Sequence, residues 1–134
     1  LFSYTTPLTR LVVGDIFHAQ GSTGQSLICI VVDVAGNLIR GRTVTHQLVI
    51  DFDRRTGQGE WHDNTGTGFP SFQCRIDSIE PLPLEMHNVL LGLDRRMRLT
   101  LDRERLKLSE EEKAALVYVS DFYPRHLITR TSEA

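Results

Sequence analysis

At 134 residues, with 40% apolar and 24% charged side chains, the chain is the size of one ordinary domain and can bury a core without disulfide or metal staples. Those fractions exclude a disordered or collagen-like chain, and no apolar run approaches the roughly 18 residues of a membrane-spanning helix. A formal net charge of -2 excludes a strongly cationic module, since residues 1–82 hold six Arg against eight Asp and Glu, and residues 83–134 hold nine basic against nine acidic residues.

The pattern changes near Leu82, from short strands and glycine turns to helical periodicity. Val12 to Ala19 carries β-branched and aromatic residues and leads into the turn cluster Gly21-Ser22-Thr23-Gly24, which predicts a first strand. Leu27 to Val34 is almost continuously apolar, the pattern of a strand covered on both faces. Ala35-Gly36-Asn37 then reverses the chain into a strand over Leu38 to Thr45. From Val44 to Phe52 the even positions Val44, His46, Leu48, Ile50 and Phe52 share one face, expected to point inward, with Asp51 and Asp53 on the solvent face. Arg40 and Arg42 on the neighbouring strand are expected to offer cross-strand partners to that face. Asp53-Arg54-Arg55-Thr56-Gly57 predicts a hairpin loop with glycine at positive φ. A polar glycine loop fills Asn64 to Ser71, and a last strand over Phe72 to Ile79 ends at Pro81 and Pro83.

Five or six short strands in sequence favour an antiparallel meander closed on itself, because closure removes exposed edges. Val13-Gly14-Asp15 entering a strand, followed by further strands and a short exit, is similar to the order of SH3-like small barrels. The fold class expected is α+β: an N-terminal small antiparallel β-barrel, SH3-like or similar, with two C-terminal helices packed on it. Residues 1–134 form one domain in this scheme, with a barrel part at 10–80 and a helical part at 83–123.

In the helical part, Pro83 suits a first turn, and Met86, Val89, Leu90, Leu93 and Met97 make one apolar stripe. Gly92 interrupts that stripe at a cost of about 1 kcal/mol relative to Ala, which predicts an early helix end there. Residues 97–108 suit either helix or strand. Ser109 and Glu112 form a capping box, and the helix they start reads as apolar nearly all round through Val119, so that it needs cover on several sides or a partner chain.

Candidate chemistry is sparse. Cys29 and Cys74 lack Cys-x-x-Cys spacing and read as buried thiols, with a disulfide between them as the lesser alternative. The five histidines show no ligand spacing, so no metal or other cofactor is called for. The hairpin Arg54-Arg55, followed by Trp61, His62, Asp63 and Phe69, is the best recognition surface in the chain. Arginines there could meet phosphate while an aromatic ring stacks on a base, but nucleic-acid binding rests mainly on basic charge, which this chain lacks. His62 and Asp63, with Asp51 or Asp53, form the candidate set for a small-ligand or metal-dependent enzyme. The cluster Arg95-Arg96-Met97-Arg98, offset by Asp94, Asp102 and Glu104, reads as a solvated helix end.

The leading expectation is a non-catalytic barrel domain that binds another protein or a second copy of itself. Nucleic-acid binding through residues 54–71 is the alternative, and an enzyme using His62 and Asp63 the third. No membrane association is expected, and the few cysteines and missing leader pattern suggest the cytoplasm.

Overall fold

The computed structural model describes residues 8–61 and 71–122. Six antiparallel strands follow one another: β1 (Ile16–Gly21), β2 (Ser26–Ala35), β3 (Leu38–Thr43), β4 (Val49–Asp53), β5 (Gln58–Trp61) and β6 (Phe72–Ser78). Each pairs with the next, and β6 pairs back onto β1, so the sheet closes as a barrel with no free edge. Helices α1 (Leu84–Leu99) and α2 (Glu110–Val117) follow, with a 3-10 turn at Arg103–Arg105 between them and a π-helical turn at Tyr118–Phe122 after them. This is the α+β barrel with two packed helices that the residue pattern predicts. Among the described residues no helix is long and apolar enough to cross a membrane.

Two apolar clusters divide the core. Inside the barrel, Phe17, Val31, Ile39, Ile50, Phe52 and Ile76 pack with Cys29 and Cys74. Outside it, Ile16, Ile28, Ile30 and Val44 meet Leu90, Leu93 and Met97 of α1, together with Ala115 and Val119. The alternation of strand side chains explains the division: β1 and β2 bury both faces, one on the interior and one under the helices. The unbroken apolar run from Leu27 to Val32 follows from that double burial.

The interior is filled to contact. Phe17 and Phe52 meet edge-on with centroids 5.1 Å apart and planes at 87°. Gly41 and Gly59 provide the space. A Cβ on Gly41 would lie 2.8 Å from Phe17 Cζ, and one on Gly59 would overlap the Phe52 ring and sit 3.1 Å from Cys74 Sγ. Gly57 takes φ +79° in the β4–β5 loop, as the turn chemistry requires, and its N–H bonds the Asp53 carbonyl at 2.7 Å.

Several boundaries differ from the expectation, each for a local reason. Val12 and Val13 are exposed and precede β1, because Asp15 closes a turn there: its carboxylate accepts from Val12 N–H at 3.0 Å and its own N–H returns to the Val12 carbonyl. His46 lies in a turn and is exposed, not inward. The alternation running back from Phe52 breaks at Gln47, which holds φ +58°, and Thr43 and Leu48 close the loop with two hydrogen bonds. Val44 is buried, but under the helices rather than inside the barrel.

Gly92 does not end α1, which continues to Leu99; a Cβ there would meet nothing within 4 Å. Residues 97–108 form the last turn of α1, the 3-10 turn and extended connections, with no strand. Helix α2 begins at the capping box as expected. Ser109 Oγ accepts from Glu112 N–H at 3.1 Å, and Glu112 Oε1 accepts from Ser109 N–H at 2.8 Å. It is not covered all round, however. Glu112, Ala115 and Val119 form one buried face, while Ala114 and Val117 face water.

Candidate functional site

Of the residues expected to form a recognition surface, the structure describes Arg54, Arg55 and Trp61. The Arg54 guanidinium donates to the Thr9 carbonyl at 2.7 Å and reaches the Gly36 carbonyl at 3.4 Å, tying the segment before β1 to the β2–β3 turn. Arg55 pairs with Asp53 through its side chain and its backbone N–H, which together hold the Asp53 carboxyl below its ordinary value. Trp61 is turned into the barrel and stacks on Phe72 with centroids 5.6 Å apart, so its faces are not offered to a base. His62, Asp63 and Phe69 lie outside the described residues.

Asp51 and Asp53 line an open groove of about 540 Å³ together with Leu38, Gln58, Glu60 and Gln73. Arg40 Nε donates to Asp51 at 2.8 Å, the cross-strand pair expected of these strands. Arg42 does not join it. Its guanidinium crosses to α1 and grips both oxygens of Asp94, at 3.0 and 2.7 Å. Among the described residues no three His, Cys, Asp or Glu side chains converge as metal ligands. Cys29 and Cys74 are buried free thiols. Burial pushes Cys29 well up, with Cys74 adding to it, and pushes Cys74 up to about 12.

Two polar clusters stand out that the residue pattern had not singled out. The first is Asp94, on the buried stripe of α1 rather than in a solvated helix end. Besides Arg42 it accepts from Gln47 Nε2 at 2.9 Å and from Arg98 at 3.1 Å. Burial raises its pKa, but the bonds from Arg42 and Gln47 and the charges of Arg42 and Arg98 outweigh that and leave the carboxyl below its ordinary value. A legible signal existed. Asp94 stands four residues after Leu90 and three before Met97, which puts it on the apolar face.

The second cluster joins three strands. Phe17 and Ala19 of β1 point inward, so His18 between them points outward, where it is only 1% exposed. On one side its Nδ1 lies 2.6 Å from Asp77 Oδ1; on the other, Nε2 lies 2.6 Å from Ser26 Oγ. Ser26 faces Gln20 across the β1–β2 pair and so sits diagonal to His18 on the same sheet face. Asp77 reaches the ring through a β-bulge: His18 faces Ser78 and Ala19 faces Ile76, leaving Asp77 as the extra residue. This joint lies where the barrel closes. The bulge depends on pairing between residues nearly sixty positions apart, and nothing in the local pattern of His18 signals it.

Leu99 and Leu101 are both exposed at the end of α1. Leu101 lines a groove of about 640 Å³ between the β3–β4 turn and the α1–α2 connection, beside Met97, Leu106 and Leu108. No protein-family model matches the chain, and neither the curated proteins nor the solved structures compared with it give a match.

Proposed function

We propose that the chain is a non-catalytic recognition module that binds another macromolecule through its outer surface, and that its first partner is a second copy of itself. The observation that carries this is the filled interior: Phe17 and Phe52 occupy the barrel so fully that two inward positions must be glycine. A barrel of this kind has no internal volume for a small ligand, which leaves the surface for recognition.

On that surface, the groove around Leu101 combines unburied leucine with charges of both signs. Asp102, Arg103 and Glu104 alternate in sign along its edge. Such an edge is complementary to its own two-fold copy, as an isologous interface requires. Light scattering over a rising concentration series should give a mass above one chain, and a Leu99→Asp, Leu101→Asp double variant should return it to one. A strictly monomeric particle at high concentration would remove self-association. Salt-sensitive binding of labelled RNA or DNA, lost in an Arg54→Ala, Arg55→Ala variant, would instead favour the nucleic-acid alternative.

A further inference from the structure

We infer that Ser26 is an activated nucleophile, which takes an acyl group from an ester or thioester donor with His18 as its base and Asp77 orienting that base. The inference stands apart from the surface reading above. A serine that acylates once and holds the group is no turnover catalyst, and it involves none of the residues of the Leu101 groove.

Three features carry it. The first is polarity along the chain of contacts. A carboxylate accepts only, so His18 Nδ1 must carry the proton it shares with Asp77 across 2.6 Å. In the neutral ring Nε2 is then an acceptor, and the Ser26 hydroxyl 2.6 Å away donates to it. This is the sequence of roles by which a serine is activated on unrelated folds: carboxylate to Nδ1, Nε2 to hydroxyl.

The second feature is accessibility. Ser26 is the first residue of β2 and is exposed, whereas the ring behind it is buried. An acyl donor can therefore reach Oγ while water is kept from the base. The third is the supporting geometry. The bulge that delivers Asp77 interrupts the β1–β6 ladder, and Asp77 Oδ2 and Ser78 Oγ stay buried without a hydrogen-bond partner among the described residues. Buried polar atoms left unsatisfied are costly, so the carboxylate is held here against a local preference for a regular ladder.

The step balances without a further reagent. Oγ forms a bond to the carbonyl carbon, and its proton passes to His18 Nε2. The ester C–O or thioester C–S bond then breaks, and its electron pair leaves with the alcohol-side or thiolate group. The His18 imidazolium returns its proton to the departing oxygen or sulfur, so the leaving group departs as the alcohol, phenol or thiol, and released p-nitrophenol ionises in the surrounding buffer. Deacylation needs a water at Nε2, which the burial of His18 disfavours, so the acyl group should persist.

The probe is p-nitrophenyl acetate, with p-nitrophenolate release followed optically and acetylated positions mapped by peptide mass spectrometry. Ser22 is exposed on the adjacent turn and serves as an internal reference. The expected result is a burst of about one equivalent, with acetyl on Ser26 and far less on Ser22. Ser26→Ala should remove the burst. Asp77→Asn should slow it by roughly 10²-fold or more, the usual worth of positioned base assistance, with unchanged circular dichroism showing that the barrel persists. Acetylation of Ser26 no faster than that of Ser22 would overturn the inference and leave the three residues as a structural joint. Because that comparison is made within one molecule, it holds even where the Asp77 variant fails to fold.

Discussion

Replacing Asp94 by alanine should be among the most destabilising single polar changes in the chain, at about 3 kcal/mol. Asp94 is 4% exposed, and its carboxylate receives four hydrogen bonds, two from Arg42, one from Gln47 and one from Arg98. The Arg98 bond contributes little, because that side chain is half in water and an exposed i,i+4 pair is worth about 0.3–0.5 kcal/mol. Arg42 decides the magnitude. Its side chain is only 20% exposed, and removing one partner of a buried pair costs about 3–5 kcal/mol because the other charge is left unpaired. Partial access to water places this pair at the low end. Against a total stability of about 5–15 kcal/mol for a domain of this kind, the loss should be plain in urea unfolding, as a lower midpoint at unchanged slope. Asp94→Asn should lose less, since the amide oxygen still accepts from one donor. The pH dependence has a definite sign. A carboxyl held below its ordinary value contributes stability that is complete above about pH 4 and is lost as pH falls through the folded value, so the alanine variant should show a flatter acid limb. A change under about 0.5 kcal/mol in Asp94→Ala, with the wild-type acid limb intact, would refute the assignment of Asp94 as the clamp between α1 and the barrel.

Other outcomes follow from neighbouring features. Gly59→Ala should cost about 1–3 kcal/mol by overpacking against Phe52 and Cys74, read as a lower melting temperature, whereas Gly92→Ala on the open face of α1 should stabilise by up to about 1 kcal/mol. Ser109→Ala should cost about 1 kcal/mol through the lost cap. The same change should leave Glu112 still paired with Arg96, a contact made at 2.5 Å, so that α2 frays at its first turn rather than detaching; amide exchange would locate the loss. Cys29 and Cys74 should stay unreactive toward a thiol reagent at about pH 8 in the native protein, since their thiolates are strongly disfavoured, and both should react on unfolding. Rapid native labelling would show that the barrel opens far more readily than its packing implies.

The barrel and both helices were legible because their signals are local. The run at Leu27–Val32 announces double burial, Gly57 marks the hairpin, and Ser109 with Glu112 marks a helix start within four residues. What escaped depends on distant partners. His18 resembles any other histidine until β6 closes beside it, and Asp77 reaches it only because a bulge displaces the strand. Period-two alternation carried across Gln47 points His46 inward, but the left-handed backbone at Gln47 resets the phase. The basic neighbours of Asp94 in sequence suggest a solvated helix end, whereas its position on the α1 stripe places it against the barrel. Trp61 depends on its strand: beside a charged turn an aromatic suggests a stacking surface, whereas in β5 it shares the inward face of Gly59.

The pairing of β6 with β1 also bears on how the molecule is made. A meander of hairpins can assemble locally, each new strand adding to the last, but β1 keeps an unpaired edge until the chain has been synthesised through Ser78. Bringing His18 to Ser78 closes a loop that is long for a domain of this size, and contacts of such separation slow folding. Until then the outward row of Ile16 and Ile28 has neither α1 nor β6 beside it. Nascent chains halted before Ser78 should therefore be the aggregation-prone species.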